Sequence, residues 1–338
     1  MDGQAVHKSL YVYTPNEGAA IFFTAAFAVS AVFHIWQCCR YKSWGIIGLH
    51  PICAIFFAVG FGFRIYGSLN YMDTSHHALM VYILSQVFIY ICPPLLELSN
   101  YHVLGRVFSY VPSHAPIPPH LVLGIFGVVM AVVETINALG VAFTANPVGT
   151  NQSLGSKLVL ASLGIQLALV TSFLLIAAIF HRRCEMAHLP KRGIRTLLVT
   201  LYISMFLILI RCIYRLVENT GNTEIDFDHP EELQSLSPLL RYEWFFYVFE
   251  AAVMLLNSVL WNVHNPGRYL PRNKTVFLSQ DGITEVVVDE EPRTANLGRG
   301  VLQILTCGLW GIISPEKGKK GEHMPEETVY LGVGSHQV

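Results

Sequence analysis

Two carboxylates, Glu243 and Glu250, stand inside an otherwise apolar run, residues 242–264 (YEWFFYVFEAAVMLLNSVLWNVH). Helical steps from Glu243 along one face meet Tyr247, Glu250, Met254, Asn257, Trp261 and His264, which makes a polar stripe. In the preceding apolar run the same spacing links Arg211, Arg215 and Glu218, with Thr200 and Ser204 continuing the face. A charge facing lipid at mid-bilayer costs about 2.5–3.5 kcal/mol, so in a membrane both stripes must turn inward. Glu250 lies about 10 Å from the start of its helix at about 1.5 Å per residue, and Arg211 sits at nearly the same depth on the antiparallel neighbour. The expectation is that Arg211 or Arg215 neutralises Glu250 or Glu243, with Tyr247 donating a hydrogen bond.

Other apolar runs carry Arg64, Gln86, Glu134, Asn137 and Gln166. One reading is a shared polar cavity in the outer half that handles a substrate. The other is a set of structural interhelical hydrogen bonds, each worth about 0.6 kcal/mol. Glu97, near the inner end of its run, is expected at the membrane interface.

The elements that must hold these residues follow from composition. Charged residues make up 13% of the chain and hydrophobic ones 53%, against about 25% charged in soluble domains. Seven apolar blocks, roughly 20–38, 45–67, 79–99, 119–143, 157–180, 196–217 and 242–264, reach or approach the ~20 residues that span a bilayer. The fold class expected is therefore an all-α membrane protein, a seven-helix transmembrane bundle with its N-terminus outside and C-terminus cytoplasmic. With the N-terminus outside, Arg40, Lys42, Arg106, Arg182, Arg183, Lys191, Arg192, Arg195, Arg268, Arg272 and Lys274 fall inside, and only Lys8, Lys157 and Arg241 outside. The sequon at Asn151 falls on the outer side and is a candidate glycosylation site. Residues 1–19 read as an outer tail without a cleavable signal, and the first span as its own signal. Residues 20–265 read as the membrane domain and 266–338 as a largely disordered inner tail with a short apolar segment at 301–313. The prolines Pro93 and Pro94 must disturb the third helix.

Several chemistries find no support. A net charge of −1 indicates no nucleic-acid partner. There is no Gly-rich phosphate loop, no zinc-type Cys spacing and no HExxH, so no cofactor is expected. His34, His50, His120, His264 and the pair His76-His77 are the candidates for a metal-dependent hydrolase. Their scatter over both membrane faces reads better as structural or interfacial histidine. None of the seven cysteines falls in an outer loop, so no structural disulfide is expected. A seven-span receptor signalling through its inner tail is the alternative of another class, but it lacks Asp-Arg-Tyr after span three and NPxxY in span seven.

With these residues in view, the chain resembles the fungal lipid-translocating exporter family, whose members are associated with resistance to aminocholesterol and with sphingoid-base export. The likeness runs over residues 13–270. It rests on Tyr13-Thr14-Pro15, Gly60-Phe61-Gly62-Phe63-Arg64, and Gln86 followed by the prolines and Tyr101-His102-Val103-Leu104-Gly105-Arg106. It rests also on Gln166, Arg211 through Glu218, Glu243-x-x-x-Tyr247-x-Phe249-Glu250, and His264-Asn265-Pro266-Gly267. Phe57, Met130, Asn137 and Glu250 depart from the family's pattern, and Glu134 stands one turn beyond the acid missing at Met130. The resemblance implies a non-enzymatic exporter of amphipathic lipids or toxins in the plasma membrane. Membrane lipids or amphipathic small molecules would be its partners.

Overall fold

The computed structural model describes residues 11, 13–73, 75–144, 152–187, 192–220, 238–273, 275–279 and 284–287. Among the described residues, seven helical spans are long and apolar enough to cross a membrane: Glu17–Tyr41, Leu49–Leu69, His76–Tyr110, Gly124–Phe143, Ser153–Met186, Arg192–Thr220 and Glu243–Arg268. They comprise α1 (Glu17–Tyr41), a short α2 (Trp44–Ile47), α3 (Leu49–Leu69), α4 (His76–Tyr90), α5 (Cys92–Tyr110), α6 (Pro119–Thr144), α7 (Gln152–Met186) and α8 (Arg192–Thr220). A short α9 (Pro238–Arg241) precedes α10 (Glu243–Phe246) and α11 (Val253–Val263). Asn16 caps α1 by accepting from the amide of Ala19. Apolar side chains such as Phe22, Val32, Leu175, Phe206 and Leu256 stay exposed, as lipid-facing residues do.

The third span is two helices. Cys92 opens α5 after a turn at Ile91, so Pro93 and Pro94 occupy its first turn, where a missing N–H loses no helical bond. α5 is the axis of the bundle, since all but three of its 19 residues are buried, and it packs on α3, α6 and α8. At Gly60 an added Cβ would lie 2.8 Å from Ile89 Cγ1, so this glycine sets the close approach of α3 and α4.

The seventh span is α-helical at both ends with a π-helical turn, Tyr247–Ala252, between them. A π turn is wound differently from the 3.6-residue helix, so the face read from sequence does not run straight through it.

Beyond the last span, part of the expected disordered tail is structured. Val276–Leu278 (β1) and Glu285–Val287 (β2) pair antiparallel, with Val276 opposite Val287. Arg106 of α5 donates to the carbonyls of Pro271 at 3.0 Å and Asn273 at 2.6 Å, and the Tyr110 hydroxyl donates to Glu285 at 2.7 Å. Leu270 and Leu278 join the core. Asn151 and the apolar segment 301–313 lie outside the described residues.

Candidate functional site

The first charged cluster joins α3, α10, the π turn and the chain before α1. Arg64 Nη2 lies 2.9 Å from Glu243 Oε1, with side chains 2% and 3% exposed. The same nitrogen donates to the Tyr13 hydroxyl at 2.7 Å, and Nε to the Tyr247 hydroxyl at 3.2 Å. The Asn16 amide donates to the other carboxylate oxygen of Glu243 at 2.8 Å. The rings of Tyr11, Phe246 and Tyr247 stand 4.9, 4.4 and 5.4 Å from the guanidinium carbon. Burial pushes the Tyr13 phenol well above its ordinary range, and that of Tyr11 up to about 12, so both are neutral beside the cation. Glu243 is therefore neutralised by Arg64 of α3, not by Arg211 or Arg215. Tyr247 accepts from Arg64 and, as expected, donates a hydrogen bond, its hydroxyl reaching the Asn16 carbonyl at 3.4 Å.

The second cluster joins α8 to the π turn. Arg211 Nε stands 3.0 Å from both oxygens of Glu250, with side chains 6% and 0% exposed. One N–H shared by two oxygens is a poorer match than a fork of two parallel N–H bonds. The terminal nitrogens of Arg211 donate to no described oxygen or nitrogen, and the Cys212 thiol is its other side-chain partner. One turn away, Arg215 pairs with Glu218 on its own helix and lies 4.3 Å from the centre of the Tyr90 ring, while Tyr214 donates to Glu218 at 3.3 Å.

Glu97 corrects another expectation. It is fully buried at mid-bundle on α5, not interfacial. Tyr101, one turn on, donates to one oxygen, and Gln166 of α7 donates to the other at 2.9 Å. The charge of Arg211 reaches Glu97 and the half-buried Glu134 of α6. Asn137 accepts a long bond, 3.4 Å, from Ser162. Gln86 is half-buried on α4 with no side-chain hydrogen bond among the described residues.

The expected residues thus do not form one layer. Arg64, Glu243 and Tyr247 make one cluster. Arg211, Glu250, Arg215 and Glu218 make a second, with Glu97, Gln166, Glu134 and its hydrogen-bond partner Asn137 beside it, while Gln86 stands apart. Tyr13 and Asn16 went unforeseen, because a polar tail gives no periodic signal for packing. Glu97 and Tyr101 do share the i, i+4 spacing that could have found them. Among the described residues no group of three His, Cys, Asp or Glu could hold a metal. What the second cluster can do chemically is exchange partners. An incoming cation can compete with Arg211 for Glu250, and a stronger acceptor can compete with the Cys212 thiol for Arg211.

A family model described as RTA1 like protein matches residues 51–273. A lipid-translocating exporter-like protein RTA1 of Leptosphaeria maculans is 49% identical over 285 residues, 82% of this chain and 54% of that protein. A protein of the same name in Ajellomyces capsulatus is 29% identical, over 68% of this chain and 70% of its own length. The probable lipid transporter atnI of Emericella nidulans is 24% identical, over 78% of this chain and 68% of its own. The chain thus spans about half the length of the Leptosphaeria relative. No solved structure matches it.

Proposed function

The chain belongs to the RTA1-like family, and from that premise we propose that it moves amphipathic lipids or toxins between membrane leaflets, without covalent chemistry. The names of its relatives, lipid-translocating exporter-like protein and probable lipid transporter, support this reading. The observation that carries it is the Arg211–Glu250 pair. A buried guanidinium held to its carboxylate through Nε alone, with a thiol as its other side-chain partner, suits a ligand that brings its own polar groups. The substrate class that fits is an amphipath with an amine, such as a sphingoid base. Its ammonium would displace Arg211 on Glu250, and its hydroxyls would accept from the freed guanidinium. The N-terminus would face outward and the membrane would be the plasma membrane.

The test is leaflet exchange of a fluorescent sphingoid base in liposomes holding the full chain, beside the N-acetylated analogue. The expected result is exchange well above protein-free liposomes, at least about tenfold faster for the free amine, a difference of about 1.4 kcal/mol. Folded protein that moves neither compound would overturn the reading and favour a receptor-like one.

A further inference from the structure

Among the buried polar atoms without a hydrogen-bond partner in the described residues, five come from residues that gather where α1 ends and α3 begins. They are His34 Nδ1, His50 Nδ1 and Nε2, and Asn257 Nδ2 and Oδ1. The side chains come from α1, α3 and α11, and each residue is at most 1% exposed. Their rings converge, since the His34 and His50 centroids are 5.4 Å apart and those of His50 and Trp261 also 5.4 Å. Asn257 stands one turn before Trp261 on the same helix face and next to Ser258. Nearby groups are otherwise engaged. Ser258 faces Ser30 at 2.7 Å and His34 Nε2 at 3.2 Å, and the Trp261 indole donates to Ser204 at 3.0 Å.

Leaving so many buried polar atoms unmade would cost stability at each of them. The chemistry of the set says what would fill it. A neutral imidazole offers one donor and one acceptor, and a carboxamide offers both. No carboxylate or guanidinium among the described residues acts on either ring. A group that both donates and accepts and carries no charge suits these atoms, whereas an ammonium or a phosphate would lie there without a counter-charge. We infer that His34, His50 and Asn257 form a hydroxyl-binding site between α1, α3 and α11, distinct from the charged clusters at Arg64–Glu243 and Arg211–Glu250. The hydroxyl belongs to the head of a lipid alcohol or to a water. Only the lipid alternative rests on the proposed transport function. In that case the bundle offers two stations of different chemistry, a charged one for an ammonium and a neutral one for hydroxyls.

The experiment compares melting temperatures of the full chain in nanodiscs doped with 1-dodecanol or with dodecane. A filled site predicts that His50→Phe and Asn257→Leu each lower the midpoint by roughly 2–4 °C or more, and that His50→Gln, which restores a donor and an acceptor, recovers part of the loss. A lipid alcohol as the source predicts a rise with dodecanol over dodecane in the wild type that both apolar variants lose. A water as the source predicts the same losses in the variants with no alcohol effect. Should His50→Phe not fold, Asn257→Leu on another helix reads the same comparison. Apolar variants as stable as the wild type, or more stable, would overturn the inference. Removing an unmade polar group from a dry site relieves a penalty instead of breaking a contact. Because no transport is measured, failure here leaves the transport reading standing, and failed transport leaves the stability comparison intact.

Discussion

The two buried Arg–Glu pairs of the seventh span share a helix and a charge sum but differ in how they are held. Arg64–Glu243 is fastened from every side. A tyrosine hydroxyl and a backbone amide from the chain before α1 close on it, a second tyrosine accepts from Nε, and three rings wall it in. Arg211–Glu250 has one N–H shared between two oxygens and terminal nitrogens with no oxygen or nitrogen acceptor among the described residues. The π turn, Tyr247–Ala252, starts between the two carboxylates and carries Glu250 within it, which lets each carboxylate face a different helix. A surrounded pair resists change, because every partner would be left unsatisfied together. A sparsely held pair can trade partners at small cost. The first therefore reads as a lock between the N-terminal segment and the bundle, and the second as the place where a ligand would act.

The comparison can be broken or sharpened by substitution, read as thermal stability of the purified chain. The largest loss is expected for Glu243→Ala, about 3–5 kcal/mol, because it strands the Arg64 cation in a buried site. Glu250→Gln should cost less, about 1–3 kcal/mol, because the amide oxygen still accepts from Arg211. Equal losses for the like exchanges Glu243→Gln and Glu250→Gln would erase the distinction. Tyr13→Phe should cost about 1.5–3 kcal/mol, the range for a hydrogen bond to a charged group. If it costs nothing, the segment before α1 is no lock. Gly67→Ala probes the same segment, since its Cβ would run into the Tyr11 hydroxyl. Overpacking there should cost about 1–3 kcal/mol. The smallest effect is expected when Arg211→Met and Glu250→Leu are combined, because replacing a buried pair with apolar groups is often neutral. The same double exchange at Arg64 and Glu243 should still destabilise, by orphaning the Asn16 amide.

Much of this architecture is legible in the apolar blocks. Each observed span contains or closely overlaps the block expected for it, because a helix in lipid must satisfy its own backbone. The blocks end early where charged residues continue the helix beyond the apolar run. That is why α7 reaches Met186 and α8 begins at Arg192. Depth arithmetic on two consecutive antiparallel helices was enough to bring Arg211 to Glu250. It could not find Arg64 for Glu243, because α3 and α10 are far apart in sequence and several cations share that depth. A 3.6-residue period cannot reveal a π turn, so the polar stripe of span seven looked continuous. Glu97 looked interfacial because the third block ends at 99, while α5 runs on to Tyr110 and leaves Glu97 fully buried well inside the helix.

The most direct test sets Glu243→Gln beside Glu250→Gln in liposomes and follows leaflet exchange of a fluorescent sphingoid base per folded molecule. The account predicts that Glu250→Gln slows exchange at least about tenfold, about 1.4 kcal/mol, while Glu243→Gln lowers the yield of folded protein but leaves the rate per molecule near wild type. Equal rates per molecule in the two variants, or a slower rate in Glu243→Gln, would contradict it.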